Sequence, residues 1–268
     1  MSSRVTNTTN HRLIFILAAV VLLIVVTGCN HTDDSWARIQ ESGVLRVGLD
    51  PTYPPFELAD DTGVTGFDVD LAHDIADGLG VSPVFSYFGY DGLYDALLTR
   101  QVDVLISAMV VSPERTKDFV YSRSYYDAGQ VLIVPDDTAD IAGPDDLAGR
   151  RVAVELGALG HVEALALARS LPDVVVIPLG SADEALDAVV QNEADAAIVD
   201  SISGRLHLKN AEPDARTLHL LPEPVDSEPF AIVVRIEDEA LLQQIDTELV
   251  RLETEGRLAE LISQWLGP

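Results

Sequence analysis

The chain has 268 residues, 47% of them hydrophobic and 23% charged, a globular composition with room for one large or two small domains. Its 17 Lys and Arg against 44 Asp and Glu leave a net charge of -27. That excludes a general nucleic-acid binder and adhesion of the folded chain to anionic lipid, both of which need basic surface. A single cysteine, Cys29, excludes an intrachain disulfide and a cysteine-built metal site, and the six histidines contain no His-Glu-x-x-His pair. No metal and no other cofactor is expected.

Residues 1–27 carry Arg4 and Arg12, no acidic side chain, and an unbroken apolar run from Leu13 to Val26. Fourteen helical residues span about 21 Å, short of the roughly 30 Å hydrocarbon core. A positive start, a short apolar stretch and small residues afterwards describe a secretory leader. Val26-Thr27-Gly28-Cys29 resembles a bacterial lipobox, in which the cysteine is lipidated and becomes the mature N-terminus. The other reading is an uncleaved anchor with an incidental cysteine. Both export the chain and tether it to a membrane.

After a polar tether, Leu45–Leu49 alternates as a short strand and ends in the proline-rich loop Asp50-Pro-Thr-Tyr-Pro-Pro-Phe56. Phe67, Leu71, Ile75 and Leu79 recur every four residues, one face of a helix that Gly80 closes. Val84–Phe88 reads as a strand, Leu93–Thr99 as a helix and Val102–Ile106 as a strand. This β-α-β-α-β order predicts a mostly parallel sheet with helices on its faces.

The same grammar then restarts. Arg151–Val154 is a predicted strand, His161–Arg169 a helix and Val174–Ile177 a strand. Ser181-Ala-Asp-Glu184 opens the next helix as a capping box, and Ala196–Val199 is a strand that stops at Asp200. Asp95–Ile106 and Asp187–Ile198 share Asp, Ala, Asp and Ile in register, as two lobes built alike would. Phe230–Val234 is a late strand, and Ala240–Leu252 and Arg257–Trp265 read as helices broken at Gly256. Two lobes and a return segment imply that the chain crosses between them twice, and a two-strand connection is a natural hinge.

Open α/β sheets bind ligands beyond the C-terminal ends of their strands, so facing lobes would share one cleft. Arg115 follows the last strand of the first lobe and offers a planar fork for a carboxylate. Asp200 ends the equivalent strand of the second lobe and accepts from an ammonium. Together they fit the two ends of an amino acid zwitterion; the alternative is a pair of solvated loop charges, or an ion pair with each other.

From about Val44 to Trp265 the chain resembles the family 3 solute-binding proteins, the polar amino acid receptors of ABC importers. The resemblance is carried by Leu45–Phe56, by the signature Gly66-Phe-Asp-Val-Asp-Leu-Ala72, and by Asp91-Gly-Leu, Val102-Asp-Val, Ser112-Pro-Glu-Arg115, Tyr125-Tyr126, Gly129–Ile133 and Gly256–Gly267, in family order. It implies a two-lobed α/β fold of the type II periplasmic-binding-protein kind, with two similar lobes on a two-strand hinge. The implied division is a leader over 1–28, a tether over 29–40, lobe 1 over 41–128, lobe 2 over 129–228 and a return to lobe 1 over 229–268.

The resemblance further implies that Arg115 grips the ligand α-carboxylate and Asp200 its ammonium. Tyr53 and Tyr90 would wall the ligand side chain, with Asp50 on the same loop and Ala108, Val110, Glu155, Gly157 and Leu159 completing the site. Tyr53 as a core residue, Asp50 as a turn cap, and Asp68 and Asp70 as shapers of the following helix are the structural alternatives. Val110 stands where many relatives have a hydroxyl, and Ala158 and Leu159 replace two more, leaving backbone N–H groups at that helix start to hold an anion. Glu155 with Asp50 would give an acidic lining suited to a cationic side chain. The implied partners are the ligand, the importer's membrane subunits and the membrane through Cys29, and the implied state is a monomer. The alternatives are a cyclohexadienyl dehydratase-like enzyme with Glu155 as general acid, and a sensor that presents its closed form to a signalling partner.

Overall fold

A computed structural model describes residues 35–61 and 63–268; the expected leader, Cys29 and the first part of the expected tether lie outside the described residues. The chain begins with α1 (Ser35–Ser42), β1 (Val44–Leu49), a small ribbon of β2 (Thr52–Tyr53), β3 (Glu57–Asp60) and β4 (Gly63–Thr65), then α2 (Phe67–Gly78). It continues through β5 (Ser82–Tyr87), α3 (Tyr90–Leu98), β6 (Val104–Leu105), β7 (Phe119–Asp127), β8 (Gln130–Pro135) and β9 (Arg151–Glu155). There follow α4 (Leu159–Ser170), β10 (Val175–Leu179), α5 (Ala182–Val190), β11 (Ala196–Asp200), α6 (Ser201–Asn210) and β12 (Leu218–Leu220). The last elements are β13 (Pro229–Arg235), α7 (Glu239–Thr254) and α8 (Arg257–Trp265).

Two five-stranded sheets share one plan. The first runs β5-β1-β6-β13-β7, the second β10-β9-β11-β8-β12. In each, the first three strands are parallel and the last two are antiparallel to their neighbours. Apolar clusters cover both faces of each sheet, as a parallel sheet between helices requires.

The similarity reaches single residues. Arg46, the third residue of β1, donates from its backbone N–H and its guanidinium to Asp103, just before β6. Arg151 opens β9 and donates in the same way to Asp195, just before β11. These aspartates are the second shared Asp of the two repeat segments. Arg100 and Asn192, at equivalent places in those segments, both take positive φ, 60° each, where their helices end. Asp103 is fully buried. Burial pushes its carboxyl up, but hydrogen bonds from Arg46 and Arg38 outweigh that and hold it below the usual range.

Local signals account for most boundaries. Ser181 caps α5 by accepting from the Glu184 backbone N–H, while the Glu184 carboxylate accepts from Gly180 N–H, one residue earlier than a standard capping box. Gly256, at φ 78°, separates α7 from α8 in the left-handed conformation glycine favours. Asp68 and Asp70 lie in the first turn of α2, yet neither caps it by its side chain. Asp70 accepts from the Trp265 indole at 2.8 Å, and Asp68 turns inward.

One boundary is corrected. Residues 35–40, placed above in the tether, are folded: α1 buries Ile39 completely and packs Trp36 on the lobe 1 core. Of the predicted strand Val102–Ile106 only Val104–Leu105 is a strand, flanked by bonds from Asp103 N–H to the Arg46 carbonyl and from Ile106 N–H to the Gly48 carbonyl.

Candidate functional site

The chain leaves the first sheet at the end of β7, passes Ala128 and Gly129, and enters the second as β8; it returns before β13. The two crossings are stitched by Ala128 N–H to Glu228 carbonyl at 2.9 Å and Val225 N–H to Gln130 carbonyl at 2.7 Å. Asp127 accepts from the Gly129 and Glu228 backbone N–H groups. These crossings form the back wall of a cavity of about 420 Å³ lying beyond the strand ends β1, β6 and β11.

Asp50, Tyr53, Tyr90, Ala108, Val110 and Asp200, drawn from both lobes, all line this cavity. Tyr53 is 46% exposed and Tyr90 48%, so neither is a core residue. Tyr53 stacks on Phe56, rings 5.7 Å apart and 10° from parallel. Burial raises the Tyr53 phenol, and the charges of Asp200 and Glu228 add to that; burial likewise raises Tyr90. Both rings stay neutral at physiological pH, with their π-faces available to a cation.

Asp50 has a structural task as well. Its carboxylate accepts from the Tyr90 backbone N–H at 2.8 Å, at the start of α3, and from the Thr52 hydroxyl at 2.7 Å. Asp200 caps α6 by accepting from Ser203 N–H at 2.8 Å and still faces the cavity. An oxygen accepts more than one hydrogen bond, so capping leaves both carboxylates able to take a ligand donor.

Arg115, Glu155, Gly157 and Leu159 do not line the cavity. Arg115 lies on the short 3-10 turn Pro113–Arg115, exposed, with its guanidinium carbon 4.0 Å from the Tyr94 ring centroid. Its charge opposes the rise that burial gives Tyr90, a residue of the cavity wall. Glu155 ends β9 half-buried, Gly157 donates to His161 Nδ1 at 3.2 Å, and Leu159 starts α4 43% exposed. Ala158 supplies no side-chain cap to α4, and of the helix's first N–H groups that of His161 donates to the Ala158 carbonyl at 3.1 Å.

Sequence reasoning missed Thr52, Ser107, Ala128, Ile202, Glu228 and Phe230, which complete the lining. Glu228 is the consequential one. It directly precedes β13, and its position at the end of the return crossing was the only signal available.

The family model described as bacterial extracellular solute-binding proteins, family 3, matches residues 45–268. The chain is 30% identical over 232 residues to the L-cystine-binding protein TcyJ of Escherichia coli (strain K12), covering 86% of this chain and 85% of that one. Among solved structures it is similar to an ancestral cationic amino acid solute-binding protein, at 33% identity and TM-score 0.61, covering 87% of this chain and 99% of the other. It is also similar to an ancestral cyclohexadienyl dehydratase, at 26% identity and TM-score 0.74, covering 87% and 96%.

Proposed function

The chain belongs to the bacterial extracellular solute-binding proteins, family 3, and we propose that it captures an amino acid with a cationic side chain between its lobes and delivers it to an ABC importer. The observation that carries this reading is the lining of the cavity: three carboxylates, Asp50, Asp200 and Glu228, beside the two tyrosine faces of Tyr53 and Tyr90. The α-ammonium goes to Asp200, the α-carboxylate to Arg115, and the side-chain cation to the Tyr53–Tyr90 wall beneath Asp50 and Glu228. Lobe closure brings the start of α4 over the carboxylate, where its backbone N–H groups stand in for the hydroxyls absent at Ala158 and Leu159. Exclusion of water then strengthens every ion pair.

Isothermal titration with L-arginine, L-lysine, L-glutamine, L-cystine and prephenate tests the reading. Stoichiometric binding of the cationic amino acids, recovered unchanged, is expected. Equal affinity for L-arginine and L-glutamine overturns the cationic assignment. Turnover of prephenate replaces the receptor by a dehydratase. Within the same assay, Glu228→Gln is expected to weaken L-arginine about tenfold, roughly 1.4 kcal/mol, and to leave L-glutamine unchanged.

Export and lipidation at Cys29 complete the proposal: a receptor held at the outer face of the membrane, as a monomer. The support is the leader followed by the chain's single cysteine in Val26-Thr27-Gly28-Cys29. Palmitate labelling of the expressed protein is expected and should vanish in Cys29→Ser; labelling that persists in the variant removes the assignment.

A further inference from the structure

Beneath the cavity lie two acidic side chains that the binding scheme does not use. Glu57 begins β3 opposite Tyr53, and Asp68 is the second residue of α2; both are fully buried. Asp68 accepts through one oxygen from the Ala108 backbone N–H at 2.6 Å and from the Tyr125 hydroxyl at 3.0 Å. Its other oxygen, and both oxygens of Glu57, receive no hydrogen bond. The two carboxyls lie against each other, with the Ser107 hydroxyl beside Glu57. The titratable groups that face the pair are Tyr125 from β7, Asp50 from the end of β1, and Tyr53 and Tyr90 from the cavity wall. None of these is a cation.

Two ionised carboxylates in contact, buried and without a counter-charge, are not a stable arrangement. One proton repairs it. A neutral Glu57 donates its O–H to the free oxygen of Asp68, and its carbonyl oxygen accepts from Ser107. All three orphaned oxygens then have a use. The Ser107 oxygen already accepts from Asp50 N–H at 2.9 Å, so the chain of bonds runs from the cavity wall to Tyr125. It also explains Ala108, which holds φ 45°, a left-handed conformation costly for a residue with a Cβ. The Asp68 carboxylate takes the Ala108 N–H and so pins that turn, and Ser107 and Ala108 are the cavity floor.

We propose that Glu57 and Asp68 hold one proton between them, and that this proton, rather than a cation, fixes the Ser107–Ala108 floor of the cleft as a positioning device. Burial, with the adjoining Asp68 charge, raises Glu57; burial raises Asp68 against the opposing hydrogen bond from Ala108. A carboxyl raised in the folded state binds a proton that the unfolded chain has released. The pair therefore stabilises the fold most at low pH, and the contribution is lost as pH rises from the ordinary carboxylate range to the raised values of the folded pair, that of Glu57 lying above neutrality.

Urea unfolding of the protein and of Glu57→Gln, from about pH 6 to about pH 8, reads the proton directly. The free energy of the wild type should fall with pH more steeply than that of the variant, by a difference close to one proton. Equal slopes mean that no proton is held and overturn the proposal. Infrared spectra of the wild type need no variant: a protonated-carboxyl band near neutral pH, lost on unfolding, is expected, and its absence from the folded protein is equally decisive. The role of the floor rests on the cleft being the binding site, and L-arginine is its probe. Glu57→Gln keeps a neutral donor and should bind within about threefold of wild type, whereas Asp68→Ala, which frees Ala108, should lose at least about tenfold. A Glu57→Gln variant with the expected slope but no affinity refutes the positioning role. A wild type that ignores L-arginine refutes the functional reading and leaves the proton count standing.

Discussion

Arg115→Ala is expected to weaken amino acid binding by about 2–5 kcal/mol, enough to abolish it at micromolar ligand. The guanidinium now rests on Tyr94, exposed and without an ion-pair partner among the described residues. It can turn to a ligand carboxylate without breaking a salt bridge. In the closed cleft that carboxylate is desolvated, and removing the arginine leaves it unpaired, which is the costly half of the exchange. Folding should be little affected, because an exposed cation over a ring contributes only about 0.5–1 kcal/mol. Arg115→Lys keeps the charge and loses the planar fork, so it should fall between wild type and alanine. Thermal unfolding separates the effects: an unchanged midpoint without ligand, and no ligand-induced rise in the alanine variant. A rise equal to that of wild type places the carboxylate elsewhere.

The parts of this molecule legible in the sequence are those whose cause is local. The four-residue spacing of Phe67, Leu71 and Ile75 gives α2, Ser181 gives the start of α5, and Gly256 gives the break before Arg257. The repeated Asp of the two lobes was visible as a coincidence of spacing; its arginine partners lie far away in the chain and were not. Helix α1 was missed because its polar residues conceal Ile39 and Trp36, the apolar side chains it sets on the core. Strands β7, β8 and β12 find their partners far along the chain, β7 on β13 and β8 on β11 and β12, so no window of sequence contains the reason for them. The site divides in the same way. Strand-end residues Asp50, Val110 and Asp200 follow from the sheet rule, but that Asp50 also holds the start of α3, forty residues on, does not. Asp68 reads as a shaper of the helix it opens, and nothing beside Glu57 in the chain marks it, until the fold buries both.

Gly129→Ala changes a residue that carries no charge and does not line the cavity, so its effect enters through the hinge. Gly129 stands between β7 and β8, and a Cβ there would overlap the carbonyl oxygen of Asp226 on the returning crossing. The obstacle is backbone, which cannot swing aside as a side-chain tip can. To relieve it the crossings must part, and the bonds nearest at hand are Ala128 N–H to Glu228 and Val225 N–H to Gln130. Overpacking of this kind costs about 1–3 kcal/mol in stability. The functional loss should exceed what stability alone predicts, because the same shift moves Glu228 and Ala128, two residues of the cavity wall. It also disturbs Ser201, whose N–H donates to the Gly129 carbonyl and which follows Asp200 at the start of α6. One backbone position thus sets the hinge, the wall and the ammonium-binding end of the second lobe together. The check is a paired measurement of unfolding free energy and L-arginine affinity. A destabilised variant with wild-type affinity would show that the crossings carry the lobes without setting the geometry of the cleft.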